Sequence, residues 1–198
     1  MNTNQTKKTL DRSTGIGGSD ATYLVEGEWL KLYQIKKGVW EQEDLSFVLP
    51  VQLGIHTESF NREWFMAMND MNVQEQEGTF IHKDYDYIYA NVDGFVLSNE
   101  LKPIGIFEAK HTNAFMKEDK VIDKYYAQIQ HYMMVTKMNQ AWLSVIFGNL
   151  KYKSYHIQQD KEFQKRLLMA EKLFWEHMVS DNEPADHVDF DAITGGTK

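Results

Sequence analysis

Three ionisable residues within a short span could carry out hydrolytic chemistry together: Asp93, Glu108 and Lys110. Asp93 precedes Gly94, and Glu108-Ala109-Lys110 closes the apolar run Ile104-Gly105-Ile106-Phe107. Residues 90–97 and 104–110 are expected as the two strands of a hairpin, with 98–103 as its turn. Side chains alternate along a strand, so Glu108 and Lys110 point to one face, and Asp93 on the partner strand comes close to both. Two carboxylates and an ammonium converging at a strand end suit phosphodiester hydrolysis. The carboxylates can hold a hard divalent cation that lowers the pKa of a bound water, and the lysine orients or stabilises the charged oxygens. The same residues have a plain explanation too, because acidic side chains beside hairpin turns are common in soluble proteins.

The elements that must position this corner follow from the pattern around it. Gly15, Gly17 and Gly18 lead into Ser19-Asp20, expected to cap a helix over residues 21–37 with apolar positions at Tyr23, Leu24, Leu30, Tyr33 and Ile35. Glycines there let the backbone approach a ligand closely or take positive φ, and exposed N–H groups at a helix start can bind an anion. Arg12 could add a bidentate phosphate contact. An ordinary glycine-rich loop with a cap explains the same stretch, and no Walker loop is present, since no Gly-Lys-Ser/Thr follows. Residues 40–50, with Glu41, Glu43 and Asp44, are expected as a loop. Residues 51–69 are expected as a helix with Phe60, Trp64, Phe65 and Met68 at helical spacing and Glu58 in its first turn, where the macrodipole favours a carboxylate.

Residues 73–82 and 86–96 are strand-like, the second opening on Tyr85, Tyr87 and Tyr89. After a polar link over 111–120, a helix is expected over 121–137. In it Tyr125, Gln128, Ile129 and Tyr132 share a face, and a glutamine on that aromatic stripe is unusual. A satisfied core amide accounts for it equally well. A second hairpin is expected over 141–147 and 152–157, then a closing amphipathic helix over 160–178 and a loose tail beyond Val179.

The chain has 198 residues, enough for one domain with a substantial core, and aromatics make up 13% of it. It contains no cysteine, which excludes disulfides, thiolate zinc sites and iron–sulfur clusters. Its seven histidines lack metal-ligand spacing. No apolar stretch approaches the ~20 residues needed to cross a bilayer, and the first residues lack the apolar core of a secretory signal. An intracellular, cytoplasmic protein is the expectation. The net charge of −8 argues against a general nucleic-acid coat and leaves open an enzyme that grips DNA through a local basic lining.

Taken in order, five blocks resemble the lambda exonuclease / YqaJ branch of the PD-(D/E)XK nucleases, the alkaline exonucleases of phage recombination. They are Arg12 with Gly15-Ile16-Gly17-Gly18-Ser19-Asp20, Gly54-x3-Glu58, Val92-Asp93-Gly94, Glu108-Ala109-Lys110, and Tyr125-x2-Gln128-Ile129-Gln130-His131-Tyr132-Met133. The resemblance spans about residues 12–178. It implies an α/β (α+β) fold, a mixed central sheet flanked by helices. It implies Mg²⁺, with Mn²⁺ as the alternative, in a two-metal site held by Asp93, Glu108 and the Ala109 carbonyl, with Glu58 supporting the second ion. Lys110 would position or polarise the attacking water, and Gln128 and Tyr125 would shape the site from the helix behind. Arg12 and Ser19 would contact the 5′-phosphate of the strand being degraded.

The activity implied is 5′→3′ digestion of double-stranded DNA ends, leaving 3′ overhangs. The partners implied are a single-strand annealing protein and a homotrimeric ring. One departure stands out: Gly27-Glu28-Trp29 follows the glycine loop closely, where family members carry a longer segment with a Ser-Pro-Trp-like stretch. Two other functions fit the same fold, a catalytically silent binding module and a structure-specific endonuclease.

Overall fold

The computed structural model describes residues 12–39 and 45–196; the Arg12 side chain, and the acidic stretch expected as a loop at 41–44, lie outside the described residues. The first helical segment is not continuous. Helix α1 (Gly18–Val25) ends at Glu26, and helix α2 (Trp29–Lys36) begins after Gly27, whose φ of +80° lies in the left-handed region. A side chain at Gly27 would also overlap the His187 ring, so this position turns the chain and packs against it. The expected single helix over 21–37 is therefore two. Helix α1 starts one residue after Gly17, which occupies the cap position; Ser19 lies inside the first turn and Asp20 reaches back to Gly17.

Helix α3 (Leu49–Asn69) carries Pro50 in its first turn, where a missing N–H costs nothing. The stretch expected as one strand over 73–82 splits into β1 (Asn72–Glu75) and β2 (Phe80–Ile81), and the stretch over 86–96 into β3 (Tyr89–Ala90) and β4 (Gly94–Leu97). Asp93 thus stands at the entrance to β4, outside any strand. Strand β5 (Pro103–Thr112) pairs antiparallel with β4, as expected for the hairpin. Helix α4 (Glu118–Thr136) then crosses over to β6 (Gln140–Phe147), which runs parallel to β5, and β7 (Lys151–Gln158) returns antiparallel to β6. The sheet order is β1-β4-β5-β6-β7, with β2 and β3 paired separately. This is the mixed sheet flanked by helices that the five blocks imply.

The two faces of β5 explain the layering. Ile106 packs with Leu143, Val145 and Phe147 under Ile129 and Met133 of α4, whereas the next residue, Phe107, meets Phe65 of α3 at 5.1 Å between ring centroids. A helix therefore lies on each side of the central strands. Helix α5 (Lys161–Ser180), capped by Asp160 accepting from the Phe163 N–H, closes over α1 and α2 through Phe174 and Ala170. Beyond Val179, where a loose tail is expected, helix α6 (Phe190–Thr194) tucks Phe190 into the same cluster and pairs Asp191 with Arg166. Helix α3 differs from its sequence pattern: Phe65 and Asn61 are buried, while Phe60, Trp64 and Met68 stay exposed.

Candidate active site

The register Gly94↔Phe107 continues one step to set Asp93 level with Glu108. The Asp93 carboxylate accepts the Ala109 N–H at 2.9 Å, which ties the entrance of β4 to the end of β5. Glu108 is 2% exposed. Its Oε1 accepts from the Lys110 ammonium at 2.7 Å and from the Gln128 amide at 3.0 Å. The same Gln128 nitrogen donates to the Tyr132 hydroxyl at 2.9 Å, so α4 holds the carboxylate from behind through two residues one helical turn apart. Glu108 Oε2 is buried without a hydrogen-bond partner.

Electrostatics follow from this crowding. Burial pushes the Glu108 carboxyl up to about 8, the Asp93 charge adds to the rise and Glu58 adds a little more, against the pull of Lys110. Burial works to lower the Lys110 pKa, yet Glu108 and Asp93 outweigh it and hold the ammonium above its ordinary value. Lys110 also lies 5.2 Å from the centre of the Tyr125 ring, with Lys124 at 5.3 Å, so Tyr125 stands between two cations. The Tyr132 hydroxyl is raised well above its ordinary value, chiefly by burial.

The glycine loop is held by a buried ion pair that sequence patterning did not anticipate. Lys36 bonds the Asp20 carboxylate at 2.8 Å and the Gly15 carbonyl at 2.6 Å, and Asp20 also accepts the Gly17 N–H at 2.9 Å. The glycines serve close packing within the chain. A Cβ at Gly15 would strike the Tyr87 carbonyl and one at Gly18 the Tyr132 ring, and neither residue has positive φ. Ser19 comes out on the rim of a cavity of about 340 Å³ shared with Tyr125, Gln128 and Lys124. Glu58 on α3 is close enough to act on Glu108. Asp93, Glu108, Ala109, Lys110 and Gln128 are thus brought together by direct contacts, with Glu58, Tyr125 and Ser19 around them. Tyr132, Lys36 and Lys124 join them; only Tyr132 had a sequence signal, its place on the Gln128 face.

Two neighbouring carboxylates, Asp93 and Glu108, the second with an orphaned buried oxygen, suit a divalent cation. Among the described residues no group of three or more His, Asp or Glu side chains could hold a metal ion by itself. The donors present fit Mg²⁺, which binds through one or two carboxylates and completes its shell with water and phosphate oxygens.

The family model of the YqaJ-like viral recombinase domain matches residues 9–139. The chain belongs to that family. Membership carries its enzyme class, a nuclease that hydrolyses DNA. No curated protein sequence matches the chain. Among solved structures, the alkaline exonuclease LHK-Exo from Laribacter hongkongensis is 17% identical, with 87% of this chain and 91% of that one covered and a TM-score of 0.68. The same enzyme in complex with dAMP gives the same values. A phage-related exonuclease from Haemophilus somnus is 12% identical over 82% of this chain and 83% of that one, with a TM-score of 0.56. At these identities the likeness establishes the fold, that of the PD-(D/E)XK nucleases. The YqaJ match covers every block from the glycine loop to the Gln128 helix. Among the described residues no helix is long and apolar enough to cross a membrane.

Proposed function

We propose that this YqaJ-family protein is a metal-dependent exonuclease that digests double-stranded DNA ends 5′→3′ and leaves 3′ single-stranded overhangs. The observation that carries this reading is the convergence of Asp93, Glu108 and Lys110 where β4 meets β5, with Glu108 Oε2 buried and unpaired. Asp93, Glu108 and the Ala109 carbonyl would hold Mg²⁺ or Mn²⁺, with Glu58 supporting a second ion. The cation, when bound, supplies Lewis acidity and lowers the pKa of water.

The chain's own groups divide the remaining work. Lys110, kept charged by two carboxylates, orients the attacking water and stabilises the negative oxygens of the scissile phosphate. Gln128 fixes Glu108 Oε1, so that Oε2 is the oxygen left to face a cation. Tyr132 in turn fixes Gln128. Ser19, on the rim of the cavity that Tyr125 and Lys124 also line, would receive the 5′-phosphate, with Arg12 as the second contact that the family resemblance implies. A trimeric ring around DNA, a single-strand annealing protein as partner and action in the cytoplasm belong to the same proposal.

The test is digestion of linear duplex DNA in Mg²⁺, with 5′-phosphorylated and 5′-hydroxyl ends side by side and an Asp93→Ala variant as control. Faster loss of the phosphorylated duplex and an inert variant are expected. Cleavage of covalently closed circles would replace the exonuclease with an endonuclease, and DNA binding without cleavage would leave a silent module.

A further inference from the structure

Helix α3 is described over all 21 of its residues, and among these Asn61 and Phe65 alone are buried. Its apolar stripe through Leu49, Leu53, Phe60, Trp64 and Met68 is exposed. Apolar burial therefore locates the helix chiefly where Phe65 meets Phe107. Glu58, Asn61 and Phe65 follow one another at i, i+3 and i+7, so they line the inward face. Holding the first half of that face, where Glu58 stands, is left to polar contacts.

Two such contacts flank Glu58, and both end on the residues that close β5. Asn61 Nδ2 donates to the Lys110 carbonyl at 3.2 Å and to the Ser144 carbonyl of β6 at 3.0 Å. Asn61 Oδ1 accepts from the Ser144 hydroxyl at 2.6 Å, so one side chain, 1% exposed, spans two strands. On the other side of Glu58, Thr57 lies within hydrogen-bonding distance of His111 at 3.0 Å. Strand β5 is held by ladders to β4 and β6, which makes the helix the partner that can shift. Asn61 sits one turn, about 4.5 Å along the axis, from Glu58 and bonds the backbone of Lys110 itself.

We propose that Asn61 is a positioning residue of the nuclease site: by pinning α3 across β5 and β6, it sets where the Glu58 carboxylate stands relative to Glu108. The role rests on the nuclease reading, in which Glu58 supports a second cation. Calorimetric titration of Mn²⁺ without DNA, then digestion of linear duplex in Mg²⁺, compares the wild type with five variants. These are Asn61→Ala, Thr57→Val, Glu58→Gln, the double variant Asn61→Ala/Glu58→Gln, and Asn69→Ala. Asn69 donates to the Phe65 carbonyl and accepts from the Ser154 hydroxyl, tying α3 to β7 about 16 Å along the helix from Glu58. It controls for stability, with melting temperatures measured throughout and assays run below the lowest.

Asn61→Ala should weaken Mn²⁺ binding and lower kcat about tenfold each, with KM for duplex little changed. The double variant should match Glu58→Gln, because Asn61 then has no carboxylate to place. Thr57→Val, a change of similar size at a half-buried position, should move both readouts the same way by less. It carries the comparison with Glu58→Gln should Asn61→Ala not fold. Asn69→Ala should melt lower yet bind Mn²⁺ and digest DNA as the wild type does. Losses that add in the double variant, wild-type Mn²⁺ affinity in Asn61→Ala, or an equal effect from Asn69→Ala overturn the proposal. A wild type that neither binds Mn²⁺ nor digests duplex overturns the nuclease reading, and the proposal with it.

Discussion

Glu108 and Gln128, twenty residues apart in sequence, meet at 3.0 Å because α4 crosses back over the strand it has just left. The contact occupies one carboxylate oxygen, and Lys110 shares that oxygen at 2.7 Å. Both neighbours pull on Oε1 and leave Oε2 for something else. Orientation of this single carboxylate is what α4 contributes to the corner.

Replacing Gln128 with Ala should free Glu108 to rotate while leaving every acidic group in place. Digestion of linear duplex should fall by about ten- to a hundredfold, as for loss of a residue that orients a metal ligand. A Gln128→Glu variant sets a third carboxylate against Glu108 and should be weaker still. Wild-type rates in Gln128→Ala would remove the orienting role.

On the proposed mechanism Lys110→Met should cost about a hundredfold to ten-thousandfold in activity, because it removes the charge assigned to the scissile phosphate. It should also raise the Glu108 pKa further, since Lys110 is the cation opposing burial and Asp93. The shift is readable as a move of the pH–rate profile to higher pH in any residual activity. Retention of full activity would take the lysine out of the mechanism.

Metal affinity should rise with pH. Glu108 in the metal-free protein holds its proton up to about 8, and a cation requires the ionised carboxylate, so binding below that value must displace a proton. Apparent Mg²⁺ affinity should therefore climb as pH increases towards 8 and level off above it. Calorimetry at neutral pH in two buffers of different ionisation enthalpy should show close to one proton released. No buffer dependence would place the cation elsewhere.

His131 and Glu171 form a second, fully buried pair at 2.6 Å, with the other imidazole nitrogen 2.8 Å from the Tyr89 carbonyl. Burial alone would lower the His131 pKa, but Glu171 and the carbonyl more than reverse this, so folding raises it above its ordinary value. A raised histidine stabilises fully below its unfolded pKa of about 6.5 and loses that contribution as pH rises through the folded value. The difference in melting temperature between wild type and His131→Gln should accordingly be largest in mild acid and shrink towards alkaline pH. A constant difference would mean the pair is not ionised.

Gly18→Ala should destabilise the protein by about 1–3 kcal/mol in urea unfolding, because the added methyl overlaps the Tyr132 ring. Since Tyr132 holds Gln128, activity should drop with stability. Gly54→Ala, with open space at its Cβ inside α3, should be neutral or slightly stabilising.

Much of this site was legible from residue order. The alternation that puts Glu108 and Lys110 on one face is a property of any strand, and the face shared by Gln128 and Tyr132 is a property of any helix. Both are local, and both are present in the folded chain. The splitting of residues 21–37 at Gly27 was not legible, because a glycine within a helical pattern breaks it only when something, here the His187 ring, packs where a side chain would stand. Nor was the fate of α3: its spacing names an apolar stripe, but whether Phe60 and Trp64 are covered depends on what the sheet presents to them. Phe107 and Ser144 take up Phe65 and Asn61, and the aromatic stripe is left outside. Lys36 beneath the glycine loop, His131 against Glu171, and Asp93 level with Glu108 are likewise long-range pairings, decided by sheet register and helix packing rather than by any period in the chain.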